Sequence, residues 1–259
     1  MKNLILLLVI NIIQISFSQN ILIKDGVKLL DADQFENIFI VTKNNKLLKY
    51  PKENYNNYLE FSSIEYGSIQ KIMTNNPFRL IIFYKDSQKI IFLDKNLNEL
   101  NIKINLFNLF NNRIIDVANS SNLLFFVSEL NEIYVYDIGR GKILNSKKLL
   151  FSNKAESKKI FSNSNTIFLL GNYSKKILNH QLDLLFEKEN KWREKINKIL
   201  FDNNKIYEYC YENNELFLID IDNNFKRKKV QTINNSLFTI KNNNILFIKN
   251  QLLKQQLLK

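Results

Sequence analysis

Apolar residues are grouped along the chain in pairs of short runs joined by a polar turn, and the pairing returns six times. In residues 79–94, RLIIFYKDSQKIIFLD, two strand-length runs flank Lys85-Asp86-Ser87, and related stretches begin at Asn37, Asn122, Thr166, Lys205 and Asn244. Successive copies start 42, 43, 44, 39 and 39 residues apart. Runs of this length, rich in Ile, Phe, Tyr and Leu and bounded by Asn, Asp, Ser and Lys, read as strands. A repeat of about 40 residues made only of short strands predicts a β-propeller with four strands per blade. A helical solenoid would need helical apolar spacing at the same period, and this chain lacks it.

The pattern places strands at 27–32, 37–42, 46–50 and 58–62 in the first blade and at 68–74, 79–84, 89–93 and 99–104 in the second. The third takes 114–118, 123–128, 132–137 and 142–149; the fourth takes 158–161, 166–170, 175–179 and 184–188. The fifth has 198–201, 205–211, 215–220 and 225–230. The sixth supplies three strands, at 237–240, 245–248 and 252–258, while 21–24 is a spare apolar segment. Pairing that segment as the outer strand of the last blade closes the ring and removes two open sheet edges. The expected fold is therefore all-β: one six-bladed propeller of four-stranded blades over residues 19–259, closed between its N-terminal strand and its C-terminal blade.

Before that domain, residues 1–18 begin with Lys2, continue through an apolar run from Leu4 to Ile13, and reach Ser16-Phe17-Ser18. This is the pattern of a secretory signal peptide cleaved before Gln19. The run is short of the roughly 20 apolar residues of a membrane span. The mature chain is thus expected to be exported, to the periplasm or the periplasmic face of the outer membrane. It would be soluble there or peripheral to a membrane, with no transmembrane span.

The chain has 37 Lys and Arg against 25 Asp and Glu, a formal charge of +12. Such a balance suits an anionic partner, although the abundance of Asn, Lys and Ile and the scarcity of Gly and Pro also fit an AT-rich genome. The densest cluster, Lys226-Arg227-Lys228-Lys229, falls where an outer strand of the fifth blade is expected, and lysines there guard an exposed edge against strand addition. No nucleic-acid motif accompanies it. The single cysteine, Cys210, lies inside the apolar run IYEYCY, so no internal disulfide is available and packing is its expected role.

Catalytic chemistry has little to work with. His180 is the one histidine, and the five glycines form no phosphate-cradling array. No nucleophile elbow, P-loop or dinucleotide fingerprint occurs, and no cofactor or metal is expected. Asp94, Asp137 and Asp220 recur just after third strands, where aspartate starts turns by accepting backbone N–H groups. Converging carboxylates in the channel are the remaining route to an enzyme, with Asp116 on the innermost strand of the third blade and Asp31 and Asp33 in the first. Propellers bind through loops at the channel ends. Two loops stand out: Asn75-Asn76-Pro77-Phe78-Arg79, and the charged stretch EKENKWREK, which presents Trp192 and Arg193.

The stretch Ile72-Met73-Thr74-Asn75-Asn76-Pro77, with residues 79–84 and 90–94, resembles an exported bacterial β-propeller family of NHL/WD40-like six-bladed architecture. The family's strand is followed by T-N-P and an apolar hairpin ending in F-L-D; here an extra Asn makes the run T-N-N-P. The resemblance implies the fold and export and brings no catalytic residues. The combined reading is a non-catalytic binding or scaffold module of the cell envelope with an envelope protein as partner. Asn76, Pro77, Phe78, Arg79, Asp116, Trp192 and Arg193 are its candidate binding residues. The alternative is a channel-face enzyme, or a binder of a small molecule, saccharide or anionic envelope polymer.

Overall fold

The computed structural model describes residues 21–149, 158–171, 174–189, 196–203, 205–235 and 237–258. Blade one holds β1 (Val27–Ala32), β2 (Ile38–Thr42), β3 (Leu47–Tyr50) and β4 (Leu59–Phe61). Blade two holds β5 (Lys71–Met73), β6 (Leu80–Tyr84), β7 (Lys89–Leu93) and β8 (Glu99–Asn105). Blade three holds β9 (Ile114–Ser120), β10 (Leu123–Ser128), β11 (Glu132–Asp137) and β12 (Lys142–Lys148). β13 (Lys159–Ser162), β14 (Thr166–Leu170), β15 (Ser174–Asn179) and β16 (Leu184–Glu189) make blade four. β17 (Ile196–Asp202), β18 (Lys205–Cys210), β19 (Glu215–Asp220) and β20 (Lys226–Thr232) make blade five. Blade six has β21 (Phe238–Lys241), β22 (Asn244–Lys249) and β23 (Leu252–Leu257). Each sheet is antiparallel with its strands in chain order, so the expected six-bladed architecture is the one observed.

Ring closure takes the form the apolar pattern predicts. Leu22 bridges Leu252 in antiparallel register, Ile23 N donates to Gln251 O at 2.9 Å, and Leu253 N donates to Ile21 O at 3.1 Å. The segment therefore supplies the outer strand of blade six. Ile21 and Ile23 turn inward among Leu48, Leu246 and Leu253.

The second strand of a blade is mostly apolar on both faces because each face meets a different neighbour; Glu208 of β18 is the buried charged exception. Ile81 and Phe83 of β6 pack toward blade three, whereas Leu80, Ile82 and Tyr84 pack toward blade one. One buried cluster fills every interface around the ring, including that between the sixth and first blades. With period-two side chains and buried partners on both sides, such a strand reads as a continuous apolar run. Outer strands have one packed side at most, and β12 is exposed throughout. In blades two to five a register shift interrupts the ladder between the third and outer strands, a bulge that raises local twist.

Turns work without many glycines because Asn tolerates the left-handed region. Asn45, Asn131, Asn214, Asn242 and Asn243 all have positive φ. A recurring five-residue turn uses Asp as its hub: Asp33 Oδ1 accepts from Phe35 N and Asn37 N, and Asp94 Oδ1 accepts from Asn96 N and Asn98 N. Asn179 and Asp183 close a third copy with exchanged roles. Leu97 and Leu182 sit in the left-handed position of two copies and drop their side chains into the core. Asp137 likewise accepts from Arg140 N.

Two expectations about single residues have physical outcomes. Cys210 is buried and unbridged. In the basic cluster, Arg227 reaches the fully buried Glu208 at 2.8 Å and Lys229 pairs with Glu215. Lys175, from blade four, meets the same Glu208 at 2.5 Å. Part of the basic edge therefore serves to neutralise a carboxylate between blades four and five.

Candidate functional site: the lysine-lined channel

Innermost strands of all blades run the same way, so their first residues ring one mouth of the central channel and their last residues ring the other. Lysine occupies the first-residue side in four blades: Lys28 on β1, Lys71 on β5, Lys158 and Lys159 at β13, and Lys198 on β17. They line a cavity of about 470 Å³ that holds seven lysines and two aspartates, Asp31 and Asp116, and no glutamate. The site is strongly electropositive. Leu30, Ile72, Ile160 and Leu200 form its apolar middle, and Thr74, Asn119, Ser162 and Thr239 its neutral polar far end.

Both aspartates are already committed. Asp116 receives Lys71 Nζ on both oxygens at 3.0 Å, Val117 N at 2.9 Å and Ile160 N at 2.9 Å. Lys71 Nζ also donates to Ile160 O at 2.7 Å, tying blades two, three and four together. Asp31 accepts from Ala32 N, Thr74 Oγ1 and Thr239 Oγ1 at 2.9, 3.0 and 3.2 Å, which links blades one, two and six. A carboxylate saturated by donors this way positions strands.

Lys28 and Lys198 bond instead to hydroxyl and carbonyl oxygens. Lys28 Nζ donates to Ser68 Oγ at 2.7 Å and Ile69 O at 2.6 Å, just before β5 begins. Burial lowers its pKa against the pull of Asp86. Lys198 Nζ donates to Phe238 O at 2.6 Å, and burial pushes its pKa down to about 8, opposed by Asp31 and assisted by Lys159. Burial also lowers Lys159, with Asp116 opposing and Lys71 assisting. Asn119 is 2% exposed and its Nδ2 has no acceptor, although its Oδ1 is fixed by Asn75 Nδ2 at 3.2 Å. An orphaned buried donor on a cavity wall calls for an acceptor from something that enters the cavity.

Of the sequence candidates, Asp116 is in this cavity, bound as described. Asn76, Pro77, Phe78 and Arg79 form the β5–β6 turn at the opposite rim. There Asn76 Oδ1 accepts from Phe78 N, and Arg79 Nη2 reaches Asn122 Oδ1 at 2.8 Å on blade three. Phe78 is 64% exposed and meets Phe35 of blade one edge-on, with centroids 5.9 Å apart. Trp192 and Arg193 lie outside the described residues. Among those described, no three His, Cys, Asp or Glu residues converge as a metal site. His180 sits in the turn between β15 and β16, its Nε2 3.2 Å from Asn163 O and its ring 4.8 Å from Phe125. Sequence reading missed the channel lysines because each is an isolated residue; their signal is recurrence at the start of the innermost strand in four repeats.

No protein-family model matches the chain, and no curated protein sequence does. Solved structures match it as a fold. A streptogramin B lyase aligns with a TM-score of 0.65 at 12% identity, covering 93% of this chain and 87% of the lyase. The virginiamycin B lyase of Staphylococcus aureus gives 0.63 at 13%, over 93% and 88%. The Pan2 WD40 domain of Neurospora crassa gives 0.60 at 10%, over 87% and 73%. At such identities the likeness is one of architecture: the chain is a β-propeller.

Proposed function

We propose that this propeller is a binding protein whose central channel captures a small anionic ligand, one carrying a carboxylate or phosphate group. The observation that carries this reading is the cavity's excess of lysine over aspartate, with both aspartates already spent on holding strands. A low-dielectric pocket with fixed ammonium groups attracts an anion far more strongly than an exposed basic patch does. Asn119 Nδ2 adds an unmet donor at the far end. Propeller neighbours include both a lyase and a WD40 domain, so the fold alone does not choose between an enzyme and a binding module. Export through residues 1–18 would place the protein in the periplasm, where it would meet envelope metabolites and anionic polymer.

Melting curves of the mature chain with inorganic phosphate, sulfate or citrate against matched chloride test this. A saturable rise in melting temperature with at least one of these anions is expected, weakened by about tenfold in affinity when Lys159 is replaced by Met. No rise with any of them, or a rise unchanged in Lys159→Met, would remove the proposal.

A second reading concerns the opposite rim, where the exposed Phe35–Phe78 pair and Arg79 stand on adjacent loops. Paired aromatics beside an arginine suit a protein contact. There the chain would act as an envelope scaffold. Phe35→Ser with Phe78→Ser should then abolish co-purification of a cross-linked envelope partner while leaving channel binding intact; retention of the partner would refute the rim as its site.

A further inference from the structure

Lys198 differs in kind from its neighbours in the channel. Lys71 is clamped by the Asp116 carboxylate, its Nζ 3.0 Å from Oδ1. Lys28 stands at the mouth between two acceptors, with Asp86 nearby. Lys198 lies deep within the ring, retains exposure toward the channel, and makes its hydrogen bond to a neutral carbonyl, Phe238 O, beside the face of the Phe238 ring at 5.2 Å. Asp31, on β1 beyond blade six, is taken by two threonine hydroxyls and a backbone amide and forms no ion pair with it. Lys159, from β13, adds a like charge from another side. A half-buried amine with a carbonyl partner, no carboxylate in hydrogen-bond contact and a neighbouring cation is disposed to be neutral and nucleophilic.

We propose that Lys198 is a carbonyl-trapping amine, condensing reversibly with the aldehyde or ketone carbon of an anionic carbonyl compound whose charged group is held by the other channel lysines. The Nζ lone pair forms the new N–C bond, giving a carbinolamine. The carbinol C–O bond then breaks, and the oxygen leaves as water with the two hydrogens of the amine, leaving an imine. No oxidant or reductant is consumed. The ligand class is thus narrowed from any small anion to a phosphorylated aldehyde or a 2-oxo acid. The inference rests on the anion-binding reading above, because the neighbouring lysines supply the anchor. Phe238 O fixes the amine against the wall, and the apolar residues Leu200 and Ile199 of the cavity limit access of bulk water to the nascent imine.

Two matched probes separate the two claims. Pyridoxal 5′-phosphate carries phosphate and an aldehyde; pyridoxine 5′-phosphate carries phosphate and an alcohol in its place. The mature chain is exposed to the aldehyde at neutral pH, reduced with borohydride, digested, and its lysines are ranked by mass spectrometry. With a pKa about 8 against about 10.4 for a free lysine, the neutral fraction of Lys198 is larger by roughly two hundredfold. Allowing for its weaker intrinsic nucleophilicity, labelling about tenfold faster than at any other lysine is expected, with suppression by excess pyridoxine 5′-phosphate. Lys198→Met should lose this adduct, while the parent chain is stabilised on heating by the alcohol probe. If the alcohol probe binds but adducts scatter over many lysines, the trapping role is overturned and the anion site stands. If the alcohol probe neither stabilises nor protects and no lysine is preferred, both are overturned.

Discussion

Removing the inward side chains of the closing segment should loosen the whole ring. Ile21 and Ile23 are 6% and 2% exposed, and both pack into the cluster shared by blades six and one. Truncating a buried isoleucine to alanine costs about 2–5 kcal/mol, with the smaller values where neighbours can collapse into the gap. The lower end of that range, about 2 kcal/mol for each residue, or about 4 kcal/mol for the pair, is the working figure. That is a large share of the roughly 5–15 kcal/mol that holds a domain together. For a domain of this size each kcal/mol moves the melting temperature by about 2–4 °C, so Ile21→Ala with Ile23→Ala should melt roughly 8–16 °C lower. Leu22 provides the control: its backbone makes the bridge to Leu252 while its side chain is 56% exposed. Leu22→Ala should stay within about 2 °C of the parent. Thermal unfolding followed by near-ultraviolet circular dichroism measures all three. A double variant that melts with the parent, or a Leu22→Ala loss as large as the double variant's, would show that the segment is not the closing strand.

Further predictions follow from the charges and turns. Glu208→Ala leaves Lys175 buried without its counter-ion and should cost about 3–5 kcal/mol in a urea titration, whereas Glu208→Gln, which keeps the side-chain volume and one acceptor, should cost less; equal costs would mean that the lost charge, common to both variants, accounts for the whole effect. Asp94→Ala removes the hub of an exposed turn and should cost about 1 kcal/mol, visible as a shift of the urea midpoint with an unchanged slope. Hydrogen bonds from Asn98 hold the Asp94 carboxyl below its ordinary range, and those from Tyr134 and then Asn112 do the same for Glu132. Both groups have folded values below their unfolded ones, so their stabilisation is complete above about pH 5 and is lost as pH falls through about 4 and below. Glu132→Gln should flatten the acid limb of a stability-versus-pH curve; an unchanged limb would contradict the assignment.

The residues fix a great deal by themselves. A strand whose two faces both meet buried neighbours is apolar at nearly every position, so 80–84 and 123–127 announce themselves without any tertiary knowledge, and their spacing of about 40 residues counts the blades. Boundaries read from that pattern agree with the observed strands to within three residues, the largest departure being the start of β5, just after the Ile69 carbonyl that accepts from Lys28 Nζ. The spare segment at 21–24 was legible for the same reason, as an apolar strand with no blade of its own. Turn aspartates were legible too, because an Asx turn is local: donor and acceptor lie within four residues. Asp116 was legible as a channel residue, but its engagement by Lys71 and Ile160 comes from blades 45 and 44 residues away. The lysine cluster belongs wholly to the tertiary structure. Lys28, Lys71, Lys159 and Lys198 are unremarkable singly in a chain with 37 basic residues. Only the closing of six blades into a ring brings the same corner of successive repeats to one mouth, gathers those lysines around one cavity, and turns dispersed basic residues into a site.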